Sequence, residues 1–536
     1  MNPALKILAD SNETEGALKA RADMVLERAK WAAEVFHRYD RGRTFAIAEA
    51  VANAAFQHAE RYAEWAVRET GFGVVEHKRI KNELTSRAFL DYYRDWDFVS
   101  PRTDQATKIV EIPRPAGVIF ALIPSTNPIS TVNFKILCAM MTRNAIVVSP
   151  HPAARECSVD AARLLARAAE EAGAPDGIIQ VIERPTLALI EEFMGSDKTD
   201  VILATGGTAM VRSAYSSSNP AIGVGPGNAP VMVDESADLK LAAGHIVESK
   251  SFDNSVLCTN ESVLITLAAV EKELARELTR AGCHVCSEEE TSRLRAYLFH
   301  ERGFNVEALG RDATWIAEQA GIRVANQTKV LVTPIDLIGV DEPLSREKLC
   351  PVLAMFVADS RSQALTMARA VLRFTGAGHS AAIHSRDPQT IVDYAAAVEV
   401  YRVVVNAPCS QGAAGFQTNL APTFTIGTGF YGRSSIGENI GPQHLVHWTR
   451  IAFHKGERDL AGSISRASMD FKGPLPEAPS DGVPGKSAAA LSSGRGMARG
   501  GGGSGGPAPS GDPSYHQLRE EIRRIIAQEL AQALKG

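Results

Sequence analysis

The pattern of apolar and polar residues changes character near residue 117. Between residues 18 and 70, apolar residues recur at intervals of three and four among many Ala, Glu and Arg residues, which predicts helix. From Gly117 onward, short apolar runs bounded by turn residues alternate with amphipathic stretches. Continuous apolar strands separated by helices are typical of a parallel sheet that is buried on both faces. The sequence therefore predicts an α/β fold.

The apolar runs fall into two groups along the chain. Those assigned to a first sheet are 117–123, 144–149, 178–183, 200–205 and 229–234. Amphipathic stretches at 153–172 and 207–215 predict helices between these strands. Further apolar runs at 261–266 and 329–333 predict strands of a second α/β unit after residue 250. Two sheets are therefore expected, in consecutive parts of the chain.

The C-terminal part of the chain has a different composition. Gly, Pro, Ser and Ala dominate residues 474–513, and half of the 18 residues between Gly494 and Gly511 are glycine. Such a stretch buries too little apolar surface to offset its ordering entropy, which predicts a flexible linker. Residues 514–536 then place apolar side chains at helical spacing, which predicts an amphipathic helix. We expect this helix to dock on a protein partner or on its own subunit, because its polar face mixes Arg and Glu and is atypical of helices that bind anionic lipid.

Composition and charge exclude several classes of partner. Of 536 residues, 45% are hydrophobic and 22% are charged, as in an average soluble globular protein of two or three domains. The formal net charge of −5 gives no electrostatic reason to expect nucleic acid. An apolar run of about 18 residues and the pattern of a secretion signal are both missing from the sequence. With an odd number of cysteines, seven, these features predict a cytoplasmic protein with reduced thiols and no membrane span.

Cys258 is the candidate nucleophile among the cysteines. It lies in a polar, turn-rich segment between a predicted helix and a predicted strand, and such loops often hold catalytic groups. A polar loop gives a thiol access and a lowered pKa, although a lone cysteine is more often a small buried hydrophobic residue. Cys138 and Cys157 lie in apolar helical patterns and fit the buried role better. Cys283 and Cys286 form a Cys-x-x-Cys motif without a second pair, so no metal site is predicted.

Three glycine-rich stretches bear on cofactor binding. Residues 427–432 have the spacing of a dinucleotide fingerprint, but the residues that follow are broken by Gly and Pro and cannot form the required helix. The stretch 223–228 holds three glycines before a predicted strand, which permits either close approach of a flat ligand or a tight turn. The turn at 205–208 opens a predicted helix and is a candidate anchor for a phosphate or for the nicotinamide side of a dinucleotide.

A series of motifs between about residue 20 and about residue 460 resembles the CoA-acylating branch of the aldehyde dehydrogenase family. The motifs occupy residues 115–130, 202–211, 223–234, 250–262, 347–354, 375–385 and 402–415. Their order and spacing make the resemblance specific and single out Cys258 as the catalytic nucleophile. The resemblance implies a parallel-sheet cofactor domain, an α/β domain that carries the thiol, and a small oligomerisation arm.

The resemblance implies a reaction at Cys258. Its thiolate would attack an aldehyde carbonyl to give a thiohemiacetal, whose oxyanion would be held by the Asn127 side chain and the Cys258 backbone N–H. Hydride transfer to NAD would leave a thioester, and CoA would then take the acyl group. The role of His379 stays open, because a loop histidine that is satisfied by backbone groups is at least as good an interpretation.

The resemblance also implies which residues contact NAD. They are Glu347, Thr205, Gly206, Gly207, Ser149, His151 and Gly225. Glu347 would hold the nicotinamide ribose, and the turn at 205–207 would lie under the cofactor. Ser149 and His151 stand where hydrolytic relatives have a ribose-binding lysine, so the preference for NAD or NADP stays open.

The clearest departure from hydrolytic relatives lies in residues 223–227. Hydrolytic members carry a Glu-Leu-Gly-Gly-Lys motif there, whose glutamate activates the water that cleaves the acyl-enzyme. This chain has Gly-Val-Gly-Pro-Gly instead. Without a base to generate hydroxide, the thioester is expected to wait for the CoA thiolate.

These features predict an enzyme that oxidises a short aldehyde, propionaldehyde first and acetaldehyde second, to an acyl-CoA. One alternative is an NAD(P)-dependent dehydrogenase that hydrolyses its acyl-enzyme through another base. The other is a scaffold or cargo adaptor that acts through the C-terminal helix. The tail resembles the encapsulation peptides of bacterial microcompartment enzymes, which implies a shell or cargo protein as its partner.

The same reasoning predicts the domain limits. Residues 1–235 form the NAD-binding domain, interrupted near 99–114 by an oligomerisation segment, followed by a catalytic domain at 236–421, a return and oligomerisation segment at 422–473, a flexible linker at 474–513 and a targeting helix at 514–536. A homodimer or homotetramer is expected.

Overall fold

The structure is a computed structural model that describes residues 14–300 and 303–456. The predicted linker at 474–513 and the predicted targeting helix at 514–536 lie outside the described residues. The described part has the predicted α/β fold, with two parallel sheets and helices packed on both.

The described chain begins with helices that pack against the first sheet. α1 (Glu15–Phe36), α2 (Arg41–Gln57) and α3 (Ala59–Thr70) occupy the segment predicted as helix at 18–70. The segment is divided because Asp40 accepts a hydrogen bond from the Arg43 backbone N–H at 2.8 Å and caps a new helix. α4 (Val75–Glu83) follows and runs through one π-helical turn into α5 (Phe89–Tyr92).

The first parallel sheet follows a short hairpin of β1 (Arg102–Asp104) and β2 (Ile109–Pro115). Its strands are β3 (Val118–Leu122), β4 (Ala145–Ser149), β5 (Ile179–Val181), β6 (Val201–Thr205) and β7 (Ala221–Val224). The intervening helices are α6 (Pro128–Met141), α7 (Arg155–Glu171), α8 (Leu187–Gly195) and α9 (Thr208–Tyr215). The strand order is β5-β4-β3-β6-β7, and every pair is parallel. These elements confirm the predicted strands from 117 to 205 and both predicted helices.

The second parallel sheet has seven strands. Its part of the chain contains β8 (Ala229–Val233), β9 (Glu261–Leu267), β10 (Cys283–Val285), a hairpin of β11 (Phe299–His300) and β12 (Gly303–Phe304), β13 (Val330–Pro334), β14 (Val352–Ala358), β15 (Ala381–His384) and β16 (Val403–Val405). The helices are α10 (Leu239–Ser251), α11 (Glu271–Ala281), α12 (Glu288–Leu298), α13 (Ala313–Gln319), α14 (Arg361–Phe374), α15 (Pro388–Ala397) and α16 (Cys409–Ala413). The strand order is β10-β13-β14-β9-β8-β15-β16, all parallel.

The placement of the strand predicted at 229–234 needs a correction. The strand exists as β8, but it pairs with β9 and β15 and so belongs to the second sheet. The prediction that grouped it with the first sheet is wrong, because a buried apolar run carries no information about which sheet it joins. The four residues 225–228 therefore carry the chain from one sheet to the other.

The last described strand returns to the beginning of the chain. β17 (Val446–Ala452) pairs antiparallel with β2 along its whole length, so that β1, β2 and β17 form a separate three-stranded sheet. Across residues 14–300 and 303–456, no helix combines the length and the apolar character that a membrane crossing requires.

The Cys-x-x-Cys motif is divided between two cores. Cys283 packs with the side chains on one face of the second sheet, and Cys286 packs with those on the other. Cys286 instead lies within 4.8 Å of potential ligand atoms of His284 and Glu290. The Glu290 carboxylate accepts the Ser287 backbone N–H at 2.8 Å and closes a capping box at the start of α12, which accounts for its position.

Candidate active site

The carboxyl ends of the first sheet form a crevice. Ser149 at the end of β4 is paired with Leu122 of β3, which is paired with Ala204 of β6. The chain leaves β3 to add β4 and β5 on one side and then returns to add β6 and β7 on the other. Ligands of open α/β sheets bind where the strand order reverses in this way. The crevice outside β3 and β6 is therefore the candidate cofactor site.

The structure places the predicted NAD residues of β6 and β7 along this crevice. Thr205 ends β6, and Gly206 and Gly207 lead directly into the N-terminus of α9. A Cβ atom added to Gly207 or to Gly225 would meet nothing within 4 Å. Both glycines thus border open space, as a cradle for a flat ligand requires, and the α9 N-terminus is suited to a phosphate.

Ser149 and His151 lie at the end of β4 in the same crevice. The Ser149 hydroxyl is buried and has no hydrogen-bond partner among the described residues, so it is available to a ligand. His151 Nδ1 accepts the Ala153 backbone N–H at 3.1 Å, which starts the turn into α7. Burial lowers the pKa of His151, so its ring is neutral near pH 7. These groups fit a dinucleotide.

Cys258 is presented by an unusual stretch of backbone between α10 and β9. Asp253, Asn254 and Ser255 all have positive φ, at 52°, 51° and 65°. Three consecutive non-glycine residues in the left-handed region are costly and persist only when the surroundings fix them. The predicted nucleophile follows three residues later and is half-buried. The strained turn sets the direction in which the thiol is presented.

Asn127 lies beside the cysteine segment. It precedes α6, whose first residue is Pro128, and its side-chain Nδ2 donates to the Val256 carbonyl at 3.1 Å. Asn127 Oδ1 accepts a hydrogen bond from the Lys81 ammonium. The structure thus brings the predicted oxyanion donor into contact with Val256, two residues before Cys258 in the sequence.

Glu347 and the 223–227 segment also meet at the cysteine. The Gly227 backbone N–H donates to Glu347 Oε1 at 3.1 Å. A Cβ atom on Gly227 would lie 1.9 Å from the Cys258 carbonyl oxygen, so only glycine fits where these two backbone segments meet. Glycine is therefore required at position 227 by close approach of backbone to backbone.

The charges around the thiol act in opposite directions. Burial, helped by the nearby Glu347 carboxylate, raises the pKa of the Cys258 thiol to about 12, whereas its own backbone N–H, Arg402 and Lys81 act to lower it. Burial also raises the pKa of Glu347 to about 8, so this carboxyl is mostly protonated near pH 7 and its effect on the thiol is small there. The backbone N–H of Cys258 and the two cations are therefore the groups that favour the thiolate.

His379 is close to the same point. It is fully buried, its Nδ1 lies 3.1 Å from the Ser380 hydroxyl, and its Nε2 has no partner among the described residues. Its Cε1 would lie 3.4 Å from a Cβ on Gly227. Burial and Arg402 lower the pKa of His379 to about 3, so its ring is neutral, and Nε2 is a buried hydrogen-bonding atom without a partner among the described residues. The interpretation in which backbone groups satisfy the hydrogen bonds of His379 therefore fails for Nε2.

Sequence reasoning missed the ion cluster beneath the cysteine segment. Lys78 and Lys81 of α4 both contact the Asp253 carboxylate, and all three side chains are buried. Asp253 also accepts the Val74 backbone N–H at 2.7 Å, and its own N–H donates to His77 Nδ1 at 2.8 Å. The sequence HKRIKNE is strongly polar and is typical of a solvated helix face, so nothing in it indicated burial.

Arg402 was missed for a similar reason. Its guanidinium is buried and donates to the carbonyls of His379 at 3.0 Å, Gly378 at 3.0 Å and Gly437 at 3.1 Å. It thereby joins the β15 segment to the loop at 427–437. A single arginine before a short apolar run gives no sequence signal of such a position.

A matched pair of glycine variants tests the close packing at the cysteine. Gly227→Ala is expected to lower kcat by about 10²-fold, because its Cβ would displace the Cys258 backbone and a misplacement of about 1 Å costs that much. Gly244→Ala on α10 is the control, since its Cβ meets no atom within 4 Å and none of the residues assigned to the cofactor is replaced. Steady-state kinetics and thermal unfolding of both variants make the comparison. Equal kcat values for the two variants would contradict the packing argument.

Comparisons with known proteins place the chain in a family. Residues 9–451 match the aldehyde dehydrogenase family. The chain belongs to this family.

Relatives with known names agree with that placement. The aldehyde-alcohol dehydrogenase of Clostridium acetobutylicum is 38% identical over 436 residues, which cover 80% of this chain and 50% of the relative. The chain thus spans about half the length of that relative. The acetylating aldehyde dehydrogenase structure from Geobacillus thermoglucosidasius has 38% identity and a TM-score of 0.81, and covers 84% of this chain and 99% of its own. A propionaldehyde dehydrogenase from the fucose utilisation microcompartment of Clostridium phytofermentans has 29% identity and a TM-score of 0.73, over 80% of this chain and 96% of its own.

Proposed function

We propose that this chain oxidises a short aldehyde with NAD and transfers the acyl group to CoA. The observation that carries the proposal is the segment 223–227, which lies against Cys258 and Glu347 and contains no carboxylate. Hydrolytic relatives hold their water-activating glutamate there. With glycine, valine and proline in its place, a thioester on Cys258 is left for a stronger nucleophile than water, the CoA thiolate.

The first chemical step is attack by the Cys258 thiolate on the aldehyde carbonyl. A new S–C bond forms, and the carbonyl oxygen becomes an oxyanion that accepts hydrogen bonds from Asn127 Nδ2 and the Cys258 backbone N–H. Lys81 and Arg402 favour the thiolate form by acting to lower the pKa of Cys258. Holding the thiol and the amide donor on adjacent segments supplies the orientation that the step needs.

The crevice residues hold the cofactor. NAD, when bound, supplies the hydride acceptor. The Ser149 hydroxyl would donate to it, Gly207 and Gly225 leave room for it, and the N-terminus of α9 is suited to its phosphates. Glu347 would accept from a ribose hydroxyl in addition to the Gly227 N–H.

The final step transfers the acyl group to CoA. The CoA sulfur forms a new bond to the thioester carbon, the bond from that carbon to Cys258 breaks, and Cys258 leaves as a thiolate. In the neutral His379 tautomer with its proton on Nδ1, donated to the Ser380 hydroxyl, Nε2 accepts a hydrogen bond from the incoming thiol and orients it. The thiol proton passes to solvent as the CoA thiolate forms, since a thiol of ordinary pKa ionises appreciably near neutral pH.

The proposal includes the substrate and the setting of the enzyme. Propionaldehyde is the first expected substrate and acetaldehyde the second. The tail at 474–536 attaches the enzyme to a shell or cargo protein of a microcompartment in the cytoplasm, which the similarity to the Clostridium phytofermentans microcompartment enzyme supports. The segments near 99–114 and after 422, whose strands β2 and β17 form one small sheet, join subunits into a homodimer or homotetramer.

The test is NADH formation from propionaldehyde and NAD+ by the purified full chain, with and without CoA. Sustained turnover only with CoA, with propionyl-CoA identified by mass spectrometry, supports the proposal. A chain truncated after Met469 is assayed in parallel and is expected to retain turnover. A protein that acts only as an adaptor through its tail would oxidise the aldehyde in neither form.

Hydrolysis of the acyl-enzyme is a second candidate, which one observation favours. Glu347 is close enough to affect the pKa of Cys258, and its own pKa of about 8 is suitable for a general base. On this alternative, NADH forms equally without CoA and the product is the free acid. Glu347→Gln would then abolish the CoA-independent turnover but keep a single-turnover burst of NADH, because the base acts only after the thioester has formed.

A further inference from the structure

Lys81 occupies a central position between the cysteine segment and the oxyanion donor. It lies on α4, is buried, and its ammonium donates to Asp253 Oδ2, to Asn127 Oδ1 and to the Val256 carbonyl, the last at 3.3 Å. An ammonium has three N–H donors and no acceptor. All three donors of Lys81 are therefore engaged, one of them on the residue that is proposed to hold the oxyanion.

The contact with Lys81 determines which end of the Asn127 amide faces the nucleophile. Because an ammonium offers no acceptor, only Oδ1 can face Lys81. Nδ2 is then the other amide atom, and it donates one N–H at 3.1 Å to the Val256 carbonyl, which Lys81 also contacts. Its second N–H is left for a ligand beside Cys258. An amide turned by 180° would lose both contacts and present an oxygen to the oxyanion.

We propose that Lys81 is a positioning residue, which fixes and polarises the Asn127 amide so that its free N–H stabilises the oxyanion formed at Cys258. The inference rests on the proposed function in assuming that an oxyanion forms there. Loss of one donor to an oxyanion lowers kcat by about 10²–10³-fold.

The charges in the cluster support this assignment. Asp253 alone needs one counterion, and Lys78 supplies it at 3.0 Å. Lys81 is a second ammonium on the same carboxylate oxygen, so the cluster carries one positive charge in excess when both lysines are protonated. Burial lowers the pKa of Lys81 to about 8, which leaves most of it charged at pH 7. That excess charge lies against Asn127 Oδ1, where it draws electrons from the amide and makes Nδ2 a better donor.

Lys78 provides a matched control within the same cluster. It contacts the same Asp253 oxygen, but its other hydrogen bond goes to the Thr126 backbone carbonyl at 2.9 Å and not to the Asn127 side chain. Lys78→Met and Lys81→Met therefore each remove one buried ammonium from Asp253. Only the second removes the partner of Asn127 Oδ1.

The test compares two reactions of Cys258 that need neither NAD nor CoA. Acylation by p-nitrophenyl acetate passes through an oxyanion, whereas alkylation by iodoacetamide does not. Both rates are measured against pH, with the Cys258→Ala chain as the blank. Lys81→Met is expected to slow acylation by about 10²-fold and alkylation by less than about threefold at equal thiolate fraction. Lys78→Met is expected to slow both reactions by the same factor.

Each further outcome decides the proposal. In an Asn127→Ala chain, Lys81→Met should slow acylation by less than about threefold, because the group through which it acts is gone. An equal effect of Lys81→Met on acylation and alkylation, or an undiminished effect in the Asn127→Ala chain, would overturn the proposal and leave Lys81 a structural ion. If Lys81→Met does not fold, Lys81→Gln replaces it in the same comparison. The proposed function can fail separately, since CoA-dependent NADH formation is not part of these measurements.

Discussion

Replacing Cys258 by alanine is expected to lower kcat/KM for aldehyde oxidation by at least about 10⁴-fold, because the covalent route is lost entirely. No other thiol can take over, since the remaining six cysteines are all buried. Initial rates of NADH formation with propionaldehyde, NAD+ and CoA measure the loss. The same loss is expected whether CoA or water accepts the acyl group, because both reactions use Cys258. This variant therefore tests the nucleophile and not the acyl acceptor.

Cys283→Ala is the control for this variant. Cys283 lies on the edge strand β10, and its side chain packs in the core of the second sheet. The control is expected to keep its activity and to lose about 1 kcal/mol of stability through the small cavity. NAD binding, followed by protein fluorescence, should be retained in both variants. Turnover of the Cys258→Ala chain within tenfold of the parent would exclude Cys258 as the nucleophile.

Replacing Asp253 by alanine is expected to lower the free energy of unfolding by roughly 3–5 kcal/mol, the usual cost of removing one member of a buried ion pair. The substitution leaves Lys78 and Lys81 buried beside each other without a counterion. It also removes the acceptor of the Val74 backbone N–H, which lies 2.7 Å from Asp253 Oδ1. Urea unfolding followed by circular dichroism measures the change.

Asp238→Ala is the matched aspartate variant for comparison. Asp238 caps α10 by accepting the Leu241 backbone N–H at 3.2 Å, and it pairs with Arg386 on the surface. Loss of a cap costs about 0.5–2 kcal/mol. A loss for Asp253→Ala no greater than that for Asp238→Ala would show that the buried cluster contributes little to stability.

The strands could be predicted from the sequence because parallel strands that are buried on both faces are continuous apolar runs. The run at 144–149 became β4 with all five of its residues buried. The same property hid the sheet to which each run belongs, so β8 was placed in the wrong sheet. β7 was not predicted because its four residues include Gly223, which interrupts the apolar pattern.

For the site too, the sequence indicated the residues that lie in motifs and missed those that only packing brings together. Cys258, Asn127 and Glu347 occur in motifs that resemble a family, and the structure brings all three to one place. Lys81 and Asp253 are separated by 172 positions and meet only because α4 packs beside the cysteine segment. No local pattern could indicate such a contact. A charged residue in a polar helix is ordinarily on the surface, and only the fold shows the exception.

The salt cluster under the cysteine bears on how the enzyme can be divided for engineering. A fragment limited to the predicted catalytic region, 236–421, would contain Asp253 but neither Lys78 nor Lys81. Its buried carboxylate would have lost both cations, and the three left-handed residues at 253–255 would have lost the helix that fixes them. The half that carries the thiol is therefore not a transplantable module. Any chimera that exchanges this half needs to carry α4 from the same parent.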